Sequence, residues 1–237
     1  MANSASNDSK GGGTTSFPRV VPAGDSAILV ELGSEIDPVV NDRVYALANA
    51  IEQSDIHAVI ELVPTYRSVL VSYDPLFAGY SEMLERIEGV LDAQSGSSEA
   101  LGFESRIVEL PVVYGGDDGP DIDNVAEAAG ISRQEVIDIH SGVDYRVYMI
   151  GFAPGFPYLG GLDERIATPR LKTPRISVPA GSVGIAESQT GVYPNASPGG
   201  WQLIGRTAVK LFDVEKSSPS LITPGSKVRF VPVESHE

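Results

Sequence analysis

The spacing of apolar residues divides the chain into a first half of longer elements and a second half of short ones. Over residues 17–94, short apolar runs alternate with stretches whose apolar residues recur at helical spacing, which predicts strands and amphipathic helices. The predicted strands are residues 27–32, 58–63 and 68–73, and the predicted helices are residues 38–53 and a helix capped by Ser81. The order βαββα is typical of a ferredoxin-like α+β domain, which a fourth strand within residues 106–113 would complete.

The second half, residues 106–235, changes to short apolar runs separated by Gly and Pro. The predicted strands are residues 107–113, 146–150, 176–178, 183–186, 201–205, 209–212 and 227–231. Many short strands with Gly/Pro turns predict a closed barrel or a sandwich. Two short helices are also expected, one capped by Asp121 or Asp123 and one opened by a capping box at Ser132. We therefore expect a small, mainly-β barrel decorated by two helices.

Two polar stretches lie outside these domains, one before the first domain and one between the two. Residues 1–16 are polar and predict a disordered tail, and residues 95–105, which begin with small polar residues, predict a linker. The tail lacks the apolar centre of a secretory signal, and no run of about 18 apolar residues predicts a transmembrane helix. With 237 residues, 42% of them hydrophobic, the composition is that of a globular protein with a sizeable core.

Charge and cysteine usage narrow the possible functions. The net charge of −15 argues against a nucleic acid or an anionic membrane as the partner. The chain has no Cys, which excludes disulfides, thiolate nucleophiles and Cys-ligated metals and fits the cytoplasm. Its three His, at positions 57, 140 and 236, are far apart in sequence, so no metal site is evident.

The segment 148–207 is the strongest candidate for a functional site. Between Gly151 and Gly205 it holds 10 of the 25 Gly and 7 of the 17 Pro, and it is locally basic in an acidic protein. Tight turns bring backbone amides close to a ligand, so this composition indicates a site for a small anionic substrate. The alternative is a loop-rich barrel whose turns need these residues for structure alone.

The chemistry within this segment is that of binding. It contains no nucleophile elbow, no His-Glu-x-x-His and no phosphate loop. The candidate anion-binding and substrate-binding residues are His140, Arg170, Arg175, Gly181, Gln189, Tyr193, Ser197, Gly199, Gly200, Trp201 and Arg206. Arginines can hold a carboxylate or phosphate in two hydrogen bonds, and the three glycine amides can form an anion nest. No catalytic residue is assigned, and a second chain is expected to supply part of the site.

Two of these candidates, Trp201 and His140, have a second interpretation. Trp201 and Tyr193 can stack on a planar ligand, but the single Trp can equally be a core or interface residue. His140 lies near the end of a predicted helix, where the dipole favours its protonated form. It can instead be a capping or core histidine.

The motifs resemble one known family. They run from Gly151-Phe-Ala-Pro-Gly-Phe-Pro-Tyr-Leu159 through Val178-Pro-Ala-Gly-Ser-Val-Gly-Ile-Ala186 and Gln189-Thr-Gly-Val-Tyr-Pro194 to Ser197-Pro-Gly-Gly-Trp201 and Ile204-Gly-Arg-Thr207. The chain resembles the family of 5-oxoprolinase B subunits over residues 17–233, most specifically in the second half. The family, which carries a carboxyltransferase domain with subdomains C and D, is also labelled allophanate hydrolase subunit 1. It includes a sporulation histidine-kinase inhibitor.

The resemblance implies more than the residue pattern does. It implies that the barrel is cyclophilin-like and that the chain pairs with a C subunit, similar to allophanate hydrolase subunit 2, and with an A subunit. The complex would use ATP, at a site that can be shared with a partner subunit, to cleave 5-oxoproline to glutamate. Three alternatives stay open: a urea- or allophanate-processing carboxyltransferase subunit, a non-enzymatic histidine-kinase inhibitor, and a prolyl isomerase suggested by fold alone.

Overall fold

The structure, a computed structural model, describes residues 16–94 and 106–236. The chain divides into two units, residues 1–96 and 97–237, which are described separately. The predicted linker, residues 95–105, and all but the last residue of the predicted tail lie outside the described residues. Within the described ranges, every helix is too short or too polar to cross a membrane.

The first unit is a four-stranded antiparallel sheet covered by two helices. Its elements are β1 (Arg19–Pro22), β2 (Ala27–Glu31), α1 (Pro38–Gln53), β3 (Val59–Pro64), β4 (Ser68–Tyr73) and α2 (Tyr80–Gln94), with strand order β1-β2-β4-β3. Local signals set the start of α1, since the Asp37 side chain accepts hydrogen bonds from the amides of Val39 and Val40 and Pro38 opens the helix. Apolar residues of both helices and the sheet form one buried core.

The fourth strand of this sheet is not the predicted one. Residues 107–114 form β5 (Ile107–Tyr114) of the second unit, whereas the place beside β2 is taken by β1 in antiparallel pairing. β5 buries Val108, Leu110 and Val112 and exposes the residues between them, which suits a barrel strand with one face inside. Residues 106–113 therefore do not supply the fourth strand of the first sheet, and the ferredoxin-like description is not confirmed, whereas the strand expected at residues 107–113 of the barrel is present.

The second unit is a closed seven-stranded barrel, which confirms the expectation of a mainly-β barrel. Its remaining strands are β6 (Asp144–Ile150), β7 (Pro157–Gly160), β8 (Arg175–Val178), β9 (Ser182–Ala186), β10 (Gln189–Val192), β11 (Ser197–Gly199), β12 (Gln202–Arg206) and β13 (Lys227–Pro232). The barrel order is β10-β7-β6-β13-β5-β12-β9, and β8 and β11 form a separate two-stranded sheet. β13 pairs with β5 in parallel and with β6 in antiparallel orientation.

The short helices of the barrel unit lie close to their predicted positions. They are α3 (Ile122–Ala129), α4 (Arg133–Ser141) and a 3₁₀ turn at Glu164–Ile166. Gly130 ends α3 at a φ of 67°, and the capping box between Ser132 and Glu135 is present. Asp121 precedes α3, but its side chain makes no capping hydrogen bond there. The predicted strand 209–212 is reduced to an isolated bridge between Phe212 and Ser220.

Candidate functional site

An aromatic cluster lies at the centre of the segment that the sequence marks as functional. Phe156, Tyr193 and Trp201 are each at most 7% exposed and pack with Val178, Ala186 and Leu203. The Phe156 ring meets the rings of Tyr193 and Trp201 edge to face, with centroids 5.4 and 5.6 Å apart. We call Phe156, Tyr193 and Trp201 the aromatic cluster. Because Trp201 is buried within it, the tryptophan packs in a core and is not an exposed platform for a ligand.

Two predicted arginines act on the tyrosine of this cluster. Burial raises the pKa of Tyr193, while a hydrogen bond to the Trp201 backbone and the charges of Arg170 and Arg175 lower it. The net effect is upward, so the phenol stays neutral and keeps its proton at neutral pH. The structure thus brings Arg170, Arg175, Tyr193 and Trp201 near one another. Arg170 itself is exposed to solvent.

Arg175 is held by a residue that the sequence did not single out as functional. Its Nη2 donates to Asp121 Oδ1 at 2.7 Å, and its Nη1 donates to the Trp201 carbonyl oxygen at 3.3 Å. The other carboxylate oxygen, Asp121 Oδ2, accepts the amide of Leu203 at 2.7 Å. Asp121 therefore fixes β8 and the start of β12 to the entrance of α3. Because 54 residues separate Asp121 from Arg175, no local pattern could reveal this pair.

The glycines serve close packing more than they form an anion nest. The Gly181 amide donates to the Tyr193 carbonyl oxygen at 2.7 Å, so it is already used. A Cβ on Gly181 would lie 2.0 Å from the Thr207 carbonyl oxygen, and its φ of 81° also favours glycine. Gly200 accepts a hydrogen bond from the Leu171 amide at 2.7 Å. The predicted nest of three amides is therefore wrong for Gly181, whose N–H points into the fold.

The other predicted residues lie around the aromatic cluster or apart from it. Ser197 is in β11 opposite Val178, and Gln189 opens β10 opposite Ala186. Arg206 donates from Nε to the Ala180 carbonyl oxygen at 3.0 Å, and its Nη1 lies 3.9 Å from Asp118 Oδ1. Arg206 thus neighbours the 180–181 turn and has a partly satisfied guanidinium.

His140 lies inside the barrel and has a fixed tautomer. Its Nε2 is 2.8 Å from Thr190 Oγ1, whose hydroxyl donates to the Gly184 carbonyl oxygen at 3.1 Å. Since that hydroxyl proton is used, Nε2 carries hydrogen and donates to Thr190, and Nδ1 accepts from the Tyr114 hydroxyl at 2.8 Å. Burial lowers the pKa of His140 to about 3. The protonated form expected from the helix dipole is therefore wrong, because desolvation outweighs the dipole at a fully buried ring.

A cleft of about 370 Å³ opens near the basic residues. It is lined by Ala167, Thr168, Pro169, Glu187 and Ser188, where the amide of Glu187 donates to the Thr168 carbonyl oxygen at 2.8 Å. Glu187 has a φ of 52°, in the left-handed region that non-glycine residues rarely adopt. The chain continues from this cleft directly into Arg170 on one side and Gln189 on the other.

The turn at residues 151–156 presents an exposed aromatic ring. The Gly151 amide donates to the Phe156 carbonyl oxygen, which closes the turn, and Phe152 is 69% exposed with a φ of 64°. The Phe152 ring leans edge to face on Phe156, with centroids 5.5 Å apart. A strained and exposed aromatic residue beside the aromatic cluster is suited to contact a ligand or another chain.

The geometry favours binding over self-contained catalysis. Arg170, Lys172 and Arg175 supply positive charge, and the Tyr193 hydroxyl lies close to the two arginines. His140, the histidine of this region, is buried and neutral, so it cannot exchange protons with a surface ligand. Across residues 16–94 and 106–236, no group of three or more His, Asp and Glu side chains could hold a metal ion.

Comparison with known proteins places these features in a wider group. Residues 18–222 match the family described as carboxyltransferase domain, subdomain C and D. The chain is 45% identical to a Bacillus subtilis protein named as the B subunit of 5-oxoprolinase, covering 90% of this chain and 92% of that protein. A protein of the same name from Escherichia coli O157:H7 is 44% identical, with 88% and 93% covered.

Two solved structures are similar as well. A conserved uncharacterized protein from Pyrococcus horikoshii is 50% identical, with 92% of this chain and 98% of that chain covered and a TM-score of 0.55. The urea carboxylase of Kluyveromyces lactis is 25% identical, with a TM-score of 0.71. That match covers 90% of this chain but only 21% of the urea carboxylase, so the likeness concerns one part of a much longer protein.

Proposed function

Since the chain belongs to the family of carboxyltransferase domains, subdomains C and D, we propose that it is the B subunit of an ATP-dependent 5-oxoprolinase. The complex would cleave 5-oxo-L-proline to L-glutamate together with the A and C subunits. The observation that carries the proposal is the 45% identity to a 5-oxoprolinase B subunit over nine-tenths of both proteins. The family match over residues 18–222 includes the aromatic cluster and its arginines as well as most of the barrel.

The site chemistry supports a role in binding the substrate of such a reaction. Opening a lactam breaks the ring C–N bond, adds water oxygen to the carbonyl carbon and leaves a proton on the nitrogen. The substrate also carries a carboxylate, which arginine guanidinium groups bind well. Arg175, whose side chain is 29% exposed, and the exposed Arg170 have the chemistry for that task, whereas the Tyr193 hydroxyl is buried in the aromatic cluster.

The same residues suggest that the chain acts only within a complex. The site contains arginines, a tyrosine and backbone groups, but its histidine is buried away from solvent. ATP, when bound, would activate the lactam oxygen by phosphorylation so that water can attack. Exposed Arg170 and Lys172 fit phosphate oxygens, yet the sequence has no Gly-Lys-Ser/Thr loop to cradle them. We therefore propose that another chain of the complex completes the ATP site.

Reconstitution tests this proposal directly. The purified chain is mixed with the A and C subunits from the same organism, 5-oxoproline and ATP, and glutamate is measured over time. We expect glutamate only when ATP and all three proteins are present. Absence of ATP-dependent glutamate from the complete mixture, with each protein folded by circular dichroism, would show that the proposal is wrong.

A second candidate is a carboxyltransferase component that processes urea or allophanate. The TM-score of 0.71 to urea carboxylase favours it, although the identity is only 25%. The same reconstituted mixture distinguishes the two: ammonia release from allophanate, with 5-oxoproline left unchanged, would support the second function over the first.

A further inference from the structure

Asp121 carries a buried negative charge that needs partners. It is 5% exposed, and both of its carboxylate oxygens are engaged at 2.7 Å, one by Arg175 and one by the Leu203 amide. A buried carboxylate is tolerated when it is paired and hydrogen-bonded in this way. Because Leu203 belongs to β12, the carboxylate is anchored to the barrel, and it anchors Arg175 in turn.

Arg175 retains unused hydrogen-bonding capacity. A guanidinium has five N–H groups, and within the described part of the chain only two of those on Arg175 have acceptors, Asp121 and the Trp201 carbonyl oxygen. The side chain is 29% exposed, so the remaining donors are accessible from solvent. Asp123 and Arg133 form the contrasting pair nearby, with side chains 68% and 52% exposed and no buried partner in the barrel.

We propose that Asp121 is a positioning residue that holds Arg175 so that the free N–H groups of its guanidinium bind the carboxylate of a small substrate. The identity of that carboxylate, 5-oxoproline, rests on the proposed function. The bond to Asp121 fixes the plane of the guanidinium, and a fixed plane is what two-point binding of a carboxylate requires. The Trp201 carbonyl oxygen, the second acceptor of the guanidinium, belongs to a residue whose side chain is packed in the aromatic cluster, so this acceptor is also held in place.

Arg170 adds charge but not the same geometry. It influences Tyr193 electrostatically, as Arg175 does, yet it is exposed to solvent. An exposed arginine loses side-chain entropy when it binds a ligand, whereas Arg175 is already ordered by Asp121. We therefore assign the orienting contact to Arg175 and a supporting electrostatic role to Arg170.

The test uses the reconstituted complex and two ligands that differ in one group. 5-Oxoproline carries the carboxylate, and 2-pyrrolidinone is the same lactam ring without it. The two test variants are Asp121→Asn and Arg175→Lys, which keeps the charge of Arg175 but not its planar guanidinium. We expect each to raise KM for 5-oxoproline roughly 10- to 100-fold, because that is the effect of losing hydrogen bonds to a charged group. KM for ATP, kcat and the weak binding of 2-pyrrolidinone should change less than about threefold, because these variants remove uniform substrate binding.

Matched controls separate positioning from structure. Asp123→Asn and Arg133→Lys make the same chemical changes in the exposed pair and should leave both KM values unchanged. Arg175→Ala should raise KM for 5-oxoproline as Arg175→Lys does, with little change in the binding of 2-pyrrolidinone. If the Ala variant does not assemble into the complex, the result for Arg175→Lys alone tests the inference. Melting temperatures of the free chains show whether each variant is folded.

Three results would overturn the inference. The first is a wild-type KM for 5-oxoproline in folded Asp121→Asn and Arg175→Lys complexes. The second is an equal loss of 5-oxoproline and 2-pyrrolidinone binding, which would make the pair merely structural. The third is a raised KM for ATP instead, which would assign Arg175 to a phosphate group. An inactive wild-type complex would refute the proposed function, and calorimetric titration of 5-oxoproline and 2-pyrrolidinone into the same complexes would still test the subsite.

Discussion

Tyr193 and Gly199 approach so closely that a Cβ on Gly199 would lie 2.4 Å from the tyrosine hydroxyl oxygen. The glycine lies in β11, and the tyrosine follows β10, so the contact joins the small two-stranded sheet to the barrel. The Tyr193 hydroxyl can occupy this position only because residue 199 is a glycine, which has no Cβ.

The substitution Gly199→Ala should displace the Tyr193 ring. We expect a destabilisation of about 1–3 kcal/mol, the usual cost of overpacking a filled core, together with lower activity of the complex. Denaturant unfolding monitored by Trp201 fluorescence measures the first effect. The neighbouring change Gly200→Ala is the control, because its nearest contacts are Pro174 atoms at 3.6 Å, an ordinary packing distance. Equal stability of the two variants would contradict the role given to Gly199.

The stability of the barrel should fall as the pH drops below the ordinary pKa of histidine. Burial lowers the pKa of His140 from 6.5 to about 3 in the folded state, so the unfolded chain binds a proton more readily. The contribution of neutral His140 to the free energy of unfolding is therefore complete above pH 6.5. As the pH falls from 6.5 to 3, it declines by about 1.4 kcal/mol per pH unit.

Comparison with His140→Gln isolates this contribution from the carboxylates. Free energies of unfolding for both proteins are measured at several pH values between 7.5 and 4.5. The wild-type curve should fall more steeply than that of the variant, and the gap between them should narrow toward acid pH. Parallel curves would mean that His140 is not buried as a neutral ring.

Thr190 should contribute to stability through its hydroxyl. It accepts from His140 and donates to Gly184, so Thr190→Val removes both hydrogen bonds and deprives the buried N–H of His140 of its acceptor. We expect a loss of about 1–3 kcal/mol in the free energy of unfolding. Thr190→Ser keeps the hydroxyl and should cost less than Thr190→Val. If both variants lose the same free energy, the methyl group and not the hydroxyl stabilises this position.

Two arginines should affect activity without affecting assembly. We expect Arg170→Ala and Arg206→Ala to lower turnover of the reconstituted complex by about tenfold, since each removes one charge from the candidate anion site. Size-exclusion chromatography checks assembly, and Arg165→Ala serves as the control because Arg165 is exposed and paired with Asp163. Normal turnover in both Arg170→Ala and Arg206→Ala would remove them from the site.

Elements with local signals could be predicted from the sequence. Asp37 and Pro38 mark the start of α1, and Ser132 and Glu135 mark that of α4, because caps involve residues within a few positions of each other. The density of Gly and Pro likewise indicated a barrel. Short strands such as β7 and β11 were missed, since three or four residues rich in Gly and Pro have no periodicity of their own.

Contacts between residues that are far apart in the sequence could not be predicted from it. The proline-rich turn and the arginines marked the segment 148–207 as the candidate site, but Asp121 gave only the signal of a helix cap. Its ionic role depends on β8 and β12 arriving beside it. The environment of His140 likewise depends on Tyr114 and Thr190, which come from two distant strands.

The closure of the barrel by β13 has a consequence for the order in which the protein is made. β13 pairs with β5 and β6, so both of these strands are synthesised long before the strand that lies between them. Every strand and helix of the first unit is complete before residue 96, and that unit can fold while the ribosome is still translating the barrel. The nascent barrel keeps two open strand edges until residues 227–232 emerge, and in that interval it is exposed to aggregation and to chaperones.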